Sequence, residues 1–204
     1  MELGGTTVSI QAPAEHLPLR IRPAVPLSDD ELFELCRMNR ELRIERTREG
    51  EIIVMSPTGG ETGRRNFTLI GLFFAWVAKN QTGVGFDSST GFILPNGAER
   101  SPDLAWVGKR RWEALTPEQR RRFVPLCPDF VIELRSPSED LGELQAKMAE
   151  YRDNGAALGI LIDPEDRLVF VYRTGRAPER LDAPSVLSGE PEMQGLELDM
   201  TSIW

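Results

Sequence analysis

Two short segments carry residue types that could act together on a phosphodiester. One is Ser101-Pro102-Asp103 and the other is Glu133-Leu134-Arg135. Pro102 has no amide donor and restricts the residue before it, so the first segment makes a fixed approach to the apolar stretch 104–107. Glu133 lies inside the apolar run 130–134, where a carboxylate is costly to bury unless a cation or hydrogen bonds offset it. Residues 133 and 135 of a strand point to one face, so Glu133 and Arg135 could aim at a single phosphate. Two carboxylates on adjacent strands form a hard-oxygen site of the kind that suits Mg²⁺, and a bound water can then be activated for attack. A lone strand glutamate is also a common ion-pair partner, and a second Pro-Asp pair occurs at Pro128-Asp129.

Composition narrows the chemistry. The chain of 204 residues contains one histidine, His16, and two cysteines, Cys36 and Cys127. That excludes a Ser-His-Asp triad, histidine-rich metal centres, a disulfide scaffold and a zinc-thiolate site. Any hydrolysis must rely on carboxylates, lysine, arginine or backbone groups. With 40% hydrophobic and 27% charged residues, the chain suits one folded domain rather than a disordered one. No apolar run reaches the length of a membrane span, and the first residues lack the pattern of a secretory signal, so a cytoplasmic, membrane-free protein is expected.

The net charge of −8 argues against a general nucleic-acid coat. Residues 100–135 are nevertheless net basic, with eight basic and five acidic side chains. They include the triplets 109–111 and 120–122, which suit either a basic rim or solvated helix faces.

The elements that must position these residues follow from periodicity and punctuation. Residues 1–27, rich in Pro and Gly, read as an arm with a short strand near 19–21; residues 28–204 read as the domain. Ser28 with three acidic residues after it caps a helix over 29–39. Strands over 42–46 and 51–55 flank a turn at Gly50. The longest and most apolar helix falls at 61–80 and should pack on a sheet. Strands at 84–87, 91–94 and 104–107 follow, then short helices within 109–123. Residues 130–134 read as a buried central strand and 140–154 as a helix that Asn154-Gly155 closes. Strands at 158–162 and 168–172, and weaker ones near 179–182 and 195–199, complete an α/β fold in which one mixed sheet lies between helices. On the helix 140–154, Lys147 and Tyr151 share a face at i and i+4, a spacing that also suits a surface lysine covering a half-buried tyrosine.

Taken in order, several strings resemble a bacterial family of restriction-endonuclease-like proteins, within the PD-(D/E)XK nuclease superfamily and formerly a family of unknown function. They run from Ser101-Pro102-Asp103 through Pro128–Glu133, Ser136-Pro137-Ser138, Lys147 and Tyr151 to Gly155 and Ile162-Asp163-Pro164. Glu45, Gly50-Glu51, Met55-Ser56-Pro57, Gly63, Leu94–Gly97 and Gly195–Leu198 before Ile203-Trp204 also look like family positions.

The resemblance implies a restriction-endonuclease-like core and a Mg²⁺- or Mn²⁺-dependent endonuclease acting on DNA. It implies Asp103 and Glu133 as metal ligands, joined by the carbonyl of residue 134. Lys147 would replace the superfamily's strand lysine, whose slot Arg135 fills here. Glu45 matches an upstream acidic position, with Glu61 as an alternative. Arg135 and Tyr151 are then candidates for contact with substrate. A homodimer is expected, since double-strand cutting needs two sites, with the helix 61–80 and the arm 1–27 as the surfaces to share. The competing expectation is a catalytically silent binding or regulatory module on the same fold.

Overall fold

The computed structural model describes residues 18–55 and 57–204. Strand β1 (Leu19–Ile21) precedes helix α1 (Asp29–Met38), the hairpin β2 (Arg43–Arg46) and β3 (Ile52–Met55), and the long helix α2 (Gly60–Asn80). Next come β4 (Gly83–Asp87), β5 (Phe92–Ile93), β6 (Glu99–Arg100), β7 (Leu104–Gly108), and the short helices α3 (Lys109–Glu113) and α4 (Pro117–Arg120). The second half holds β8 (Phe130–Leu134), α5 (Leu141–Asp153), β9 (Leu158–Asp163), β10 (Leu168–Arg173), β11 (Glu179–Asp182), β12 (Val186–Ser188) and β13 (Glu197–Asp199).

The class is α/β, with mixed sheet and flanking helices as expected, but the strands divide into three sheets rather than one. The main sheet has the order β11-β10-β9-β8-β7-β4. It is antiparallel except between β8 and β9, which run parallel because α5 carries the chain across between them. A second sheet has the order β1-β3-β2-β6-β5, and β12 pairs with β13 by itself. The division arises because β6 is two residues long and pairs with β2, so the chain changes sheets just before Asp103. The short strand expected near 19–21 is present as β1, an edge strand on β3, and the Leu27 carbonyl accepts a hydrogen bond from Arg46. The first 17 residues of the expected arm lie outside the described residues.

Alternation on the main sheet sorts the core into two layers. Phe130, Ile132 and Leu134 of β8 join Leu158, Ile160 and Ile162 of β9 under α2 and the C-terminal strands. Val131 and Leu161 face α5, where Leu144, Met148 and Tyr151 cover them. Each such fully buried side chain contributes about 1.5–3 kcal/mol. Two glycines let α5 lie this close. Gly155 takes φ +110°, which turns the chain out of the helix, and a Cβ at Gly159 would stand 2.6 Å from Met148 Cε. Asp140 caps α5 by accepting from the Glu143 amide. A third, smaller core of Leu32, Leu35, Ile44, Ile52 and Val54 sits between α1 and the second sheet.

Candidate active site

The register of β7 on β8 pairs Leu104 with Ile132, so the next position outward sets Asp103 opposite Glu133. Both belong to the set of positions that faces α5. Their carboxylates converge on one cation, Arg43. Its guanidinium lies 3.1 Å from Asp103 and 4.0 Å from Glu133, and it also donates to the Ser101 carbonyl. Asp103 accepts further from the Leu134 amide at 2.9 Å, which ties the end of β8 to the start of β7.

Helix α5 supplies the other side. Lys147 Nζ stands 2.8 Å from both Glu133 Oε1 and Glu45 Oε1. Tyr151, one turn later, donates its hydroxyl to Glu133 Oε1 at 3.0 Å. Glu45 comes from β2, where strand alternation places it beside Arg43. It accepts from the Ser101 amide and pairs with Arg100 at 3.2 Å. Arg100 is held in turn by Glu150 of α5 at 2.7 Å. Three carboxylates, Glu45, Asp103 and Glu133, thus meet three cations, Arg43, Arg100 and Lys147, at the junction of the two sheets and α5.

Burial and pairing set the protonation of these groups. Burial works to raise the Glu45 carboxyl, but Lys147, Arg100 and Arg43 overcome it and hold it well below the ordinary range. For Glu133 burial wins against Lys147, and Asp103 adds to the rise. Burial opposes the Lys147 charge, yet Glu133 and Glu45 keep its pKa above the usual lysine value. A fourth carboxyl, Glu99, is fully buried, accepts from Ser101 Oγ, and is pushed up to about 8 by burial and then by the Glu45 charge.

A cleft of about 840 Å³ opens onto this cluster. Asp103, Arg43, Leu134, Arg40, Asn66 and the 136–139 loop are among its walls. Glu133, Lys147 and Tyr151 lie behind that wall.

Four expected site residues therefore meet: Asp103, Glu133, Lys147 and Glu45. The other two, Tyr151 and Arg135, are held by partners of their own. Tyr151 is fully buried and donates its hydroxyl to Glu133. Arg135 falls opposite Asp163 when the β8–β9 register is extended by one residue, and it pairs with that carboxylate at 2.7 Å. Glu61 is exposed at the cleft mouth and pairs with Arg64 and Arg65. Asp129 caps the Gly108 amide and pairs with Arg111. The basic triplets do not line the cleft: Arg111 and Arg122 are paired with Asp129 and Asp30, and Arg120 lies over the Trp112 ring. Cleft-lining positive charge comes from Arg40 and Arg43 instead.

Sequence reasoning missed Arg43 and Arg100. The signal for Arg43 was its place two residues before Glu45 on the same strand face. Arg100 directly precedes the Ser101-Pro102-Asp103 segment.

The donor set suits a hard divalent cation. Asp103 and Glu133 offer carboxylate oxygens from neighbouring chain segments, already converging on one positive group, the Arg43 guanidinium. Among the described residues no three acidic, histidine or cysteine side chains are grouped as a metal cage. A Mg²⁺ ion, which keeps several waters, needs fewer protein ligands than that. No helix among the described residues is long and apolar enough to cross a membrane.

Comparison with known proteins covers most of the chain. The model of the Uma2 family, described as "putative restriction endonuclease", matches residues 29–201. A solved structure from Anabaena variabilis, described as a "putative nuclease belonging to DUF820", superposes with a TM-score of 0.70 at 20% identity. That match covers 87% of this chain and 97% of the other, and at this identity it shows the fold. None of the curated proteins matches the chain.

Proposed function

Because the chain belongs to the Uma2 family of nuclease-like proteins, we propose that it is a Mg²⁺- or Mn²⁺-dependent endonuclease that hydrolyses DNA phosphodiesters, acting as a cytoplasmic homodimer. The observation that carries this reading is the convergence of Asp103 and Glu133 on a single cation position at the inner wall of the cleft. Asp103 and Glu133 would hold the metal, which when bound supplies an activated water and charge neutralisation at the phosphate. The chain's own groups do the remainder. Tyr151 and Lys147 fix the Glu133 carboxylate from behind. From there the Lys147 charge also acts on the negative charge that develops at the phosphate. Arg43 gives up its place between the carboxylates and, with Arg40, faces the incoming phosphates from the cleft wall. Water adds to phosphorus, one P–O ester bond breaks, and the products are a phosphate monoester end and a hydroxyl end. Two copies provide the two sites that a double-strand cut needs.

Arg43 also favours a second reading. An arginine that already neutralises both carboxylates is what a silent, metal-free binding module would keep. Two measurements separate the readings. An active site gains thermal stability with Mg²⁺ or Mn²⁺ by mass action, and Asp103→Ala loses that gain. Plasmid and single-strand cleavage with Mn²⁺ should be present in the wild type and fall roughly 1,000-fold or more in Asp103→Ala and Glu133→Gln, the scale set by removing a transition-state partner. A wild type that neither cleaves nor gains stability with metal is the silent module.

A further inference from the structure

Helix α2 turns Leu69, Phe73 and Trp76 toward the main sheet. On its opposite face Phe67 and Phe74 are 80% and 68% exposed. Between and beyond them on that face stand Gly71 and Ala78, also exposed. The spacing 67, 71, 74, 78 is the 4-3-4 step of a coiled-coil seam. No charged residue occurs from 66 to 78, in a chain whose net charge is −8.

The order along the seam is large, small, large, small. A two-fold axis through the middle of this stretch, between residues 72 and 73, sets Phe67 against Ala78 of the partner subunit and Phe74 against Gly71 of the partner subunit. Every ring then meets a gap. A parallel pair would instead stack ring on ring and gap on gap. At Gly71 even a Cβ would meet nothing within 4 Å in the single chain, so the space is open to a partner's ring.

We propose that α2 is the surface through which two copies of this chain associate, as an antiparallel helix pair about that two-fold axis. The charge argument supports a second copy as occupant. Two chains at −8 repel, and the uncharged stripe is where they can approach at least cost; charge depletion at the centre is the mark of such interfaces. Area supports it too. At roughly 150–250 Å² per phenylalanine, the four exposed rings of a pair supply roughly 600 Å², a fair share of the ~1,200–2,000 Å² of a stable interface. The proposal deepens the dimeric part of the proposed function and does not depend on its chemistry.

Sedimentation equilibrium of the full chain without substrate tests it. The wild type should show twice the 22.9 kDa chain mass at micromolar concentration. Phe67→Glu and Gly71→Leu should each raise the dissociation constant at least tenfold with the circular dichroism of the fold intact. Adding Ala78→Lys to Phe67→Glu should restore the dimer, since the new charges face each other in the antiparallel pair alone. A wild type of single mass overturns the proposal. So does a dimer indifferent to both single substitutions, or a charge pair that fails to rescue. Single-strand cleavage, measured beside the masses, reports separately on the nuclease reading.

Discussion

Helices α5 and α2 pack on opposite faces of the same sheet and place their residues in opposite ways. Helix α5 carries a lysine and a tyrosine hydroxyl into the interior, against Glu133 and Glu45. Helix α2 leaves two phenylalanines in water. Each arrangement runs against the transfer free energies of the side chains involved. Hydrophobic sorting thus accounts for the layers, and departures from it mark where the molecule meets something else. Inside, the departure is tolerated because three cations and three carboxylates pair with one another. Outside, it costs little, because an exposed ring forgoes burial without breaking any bond.

The sharpest test of that contrast is deletion on each side. Glu45→Ala leaves Lys147 and Arg100 short of a buried partner and should cost about 3–5 kcal/mol in urea unfolding. Phe67→Ser should stay within about 0.5 kcal/mol under conditions where the chain is a monomer. Equal losses would erase the contrast. Tyr151→Phe removes the hydroxyl that Glu133 accepts from, and should cost about 1–2 kcal/mol. A negligible loss in the same assay would mean that the ring's packing, and not its hydroxyl, carries the position.

Titration sharpens the interior half further. The Glu99 carboxyl is raised to about 8 in the folded chain from an ordinary value of 4.5. Between those values the folded state holds a proton that the unfolded state has lost, so this group's contribution is present below pH 4.5 and lost as pH rises toward 8. Glu99→Gln should flatten that decline, and chemical denaturation at pH 5, 6.5 and 8 reads it. Glu45 acts with the opposite sign: its lowered pKa gives stability that is present above pH 4.5 and lost as pH falls toward 2. A small effect is also expected on the outer helix. Gly71→Ala puts a methyl into open space on α2 and should stabilise the monomeric fold by about 0.5–1 kcal/mol, seen as a raised unfolding midpoint.

The same contrast explains what could be read from sequence. The helices at 29–38, 60–80 and 141–153 follow from caps and apolar spacing, and β8 from an apolar run that only Glu133 interrupts. Strands β6 and β12, two and three residues long, have no periodicity to detect. Missing β6 hid the change of sheets, and with it the way β2 brings Arg43 and Glu45 to Asp103. The family resemblance already pointed to Asp103, Glu133, Lys147 and Glu45, which the fold brings together. Arg43 and Arg100 act through tertiary pairing with residues more than 50 positions away, which no local pattern encodes. Arg135 was read from strand alternation and from its place in the superfamily's strand-lysine slot. Its face is as expected, but the neighbouring strand places Asp163 within reach first.

Strand β8 is flanked on both sides, by β7 and β9, and all five of its residues are buried. Its amides should therefore exchange with deuterium only when the whole domain opens, unlike those of the edge strands β1 and β11. Glu133 sits in that slowest segment, and Asp103 is bonded to its final amide. The carboxylate pair then cannot be dismantled by fraying. Heating should remove the pair's geometry and the fold in one cooperative step, with no folded but misassembled site along the way.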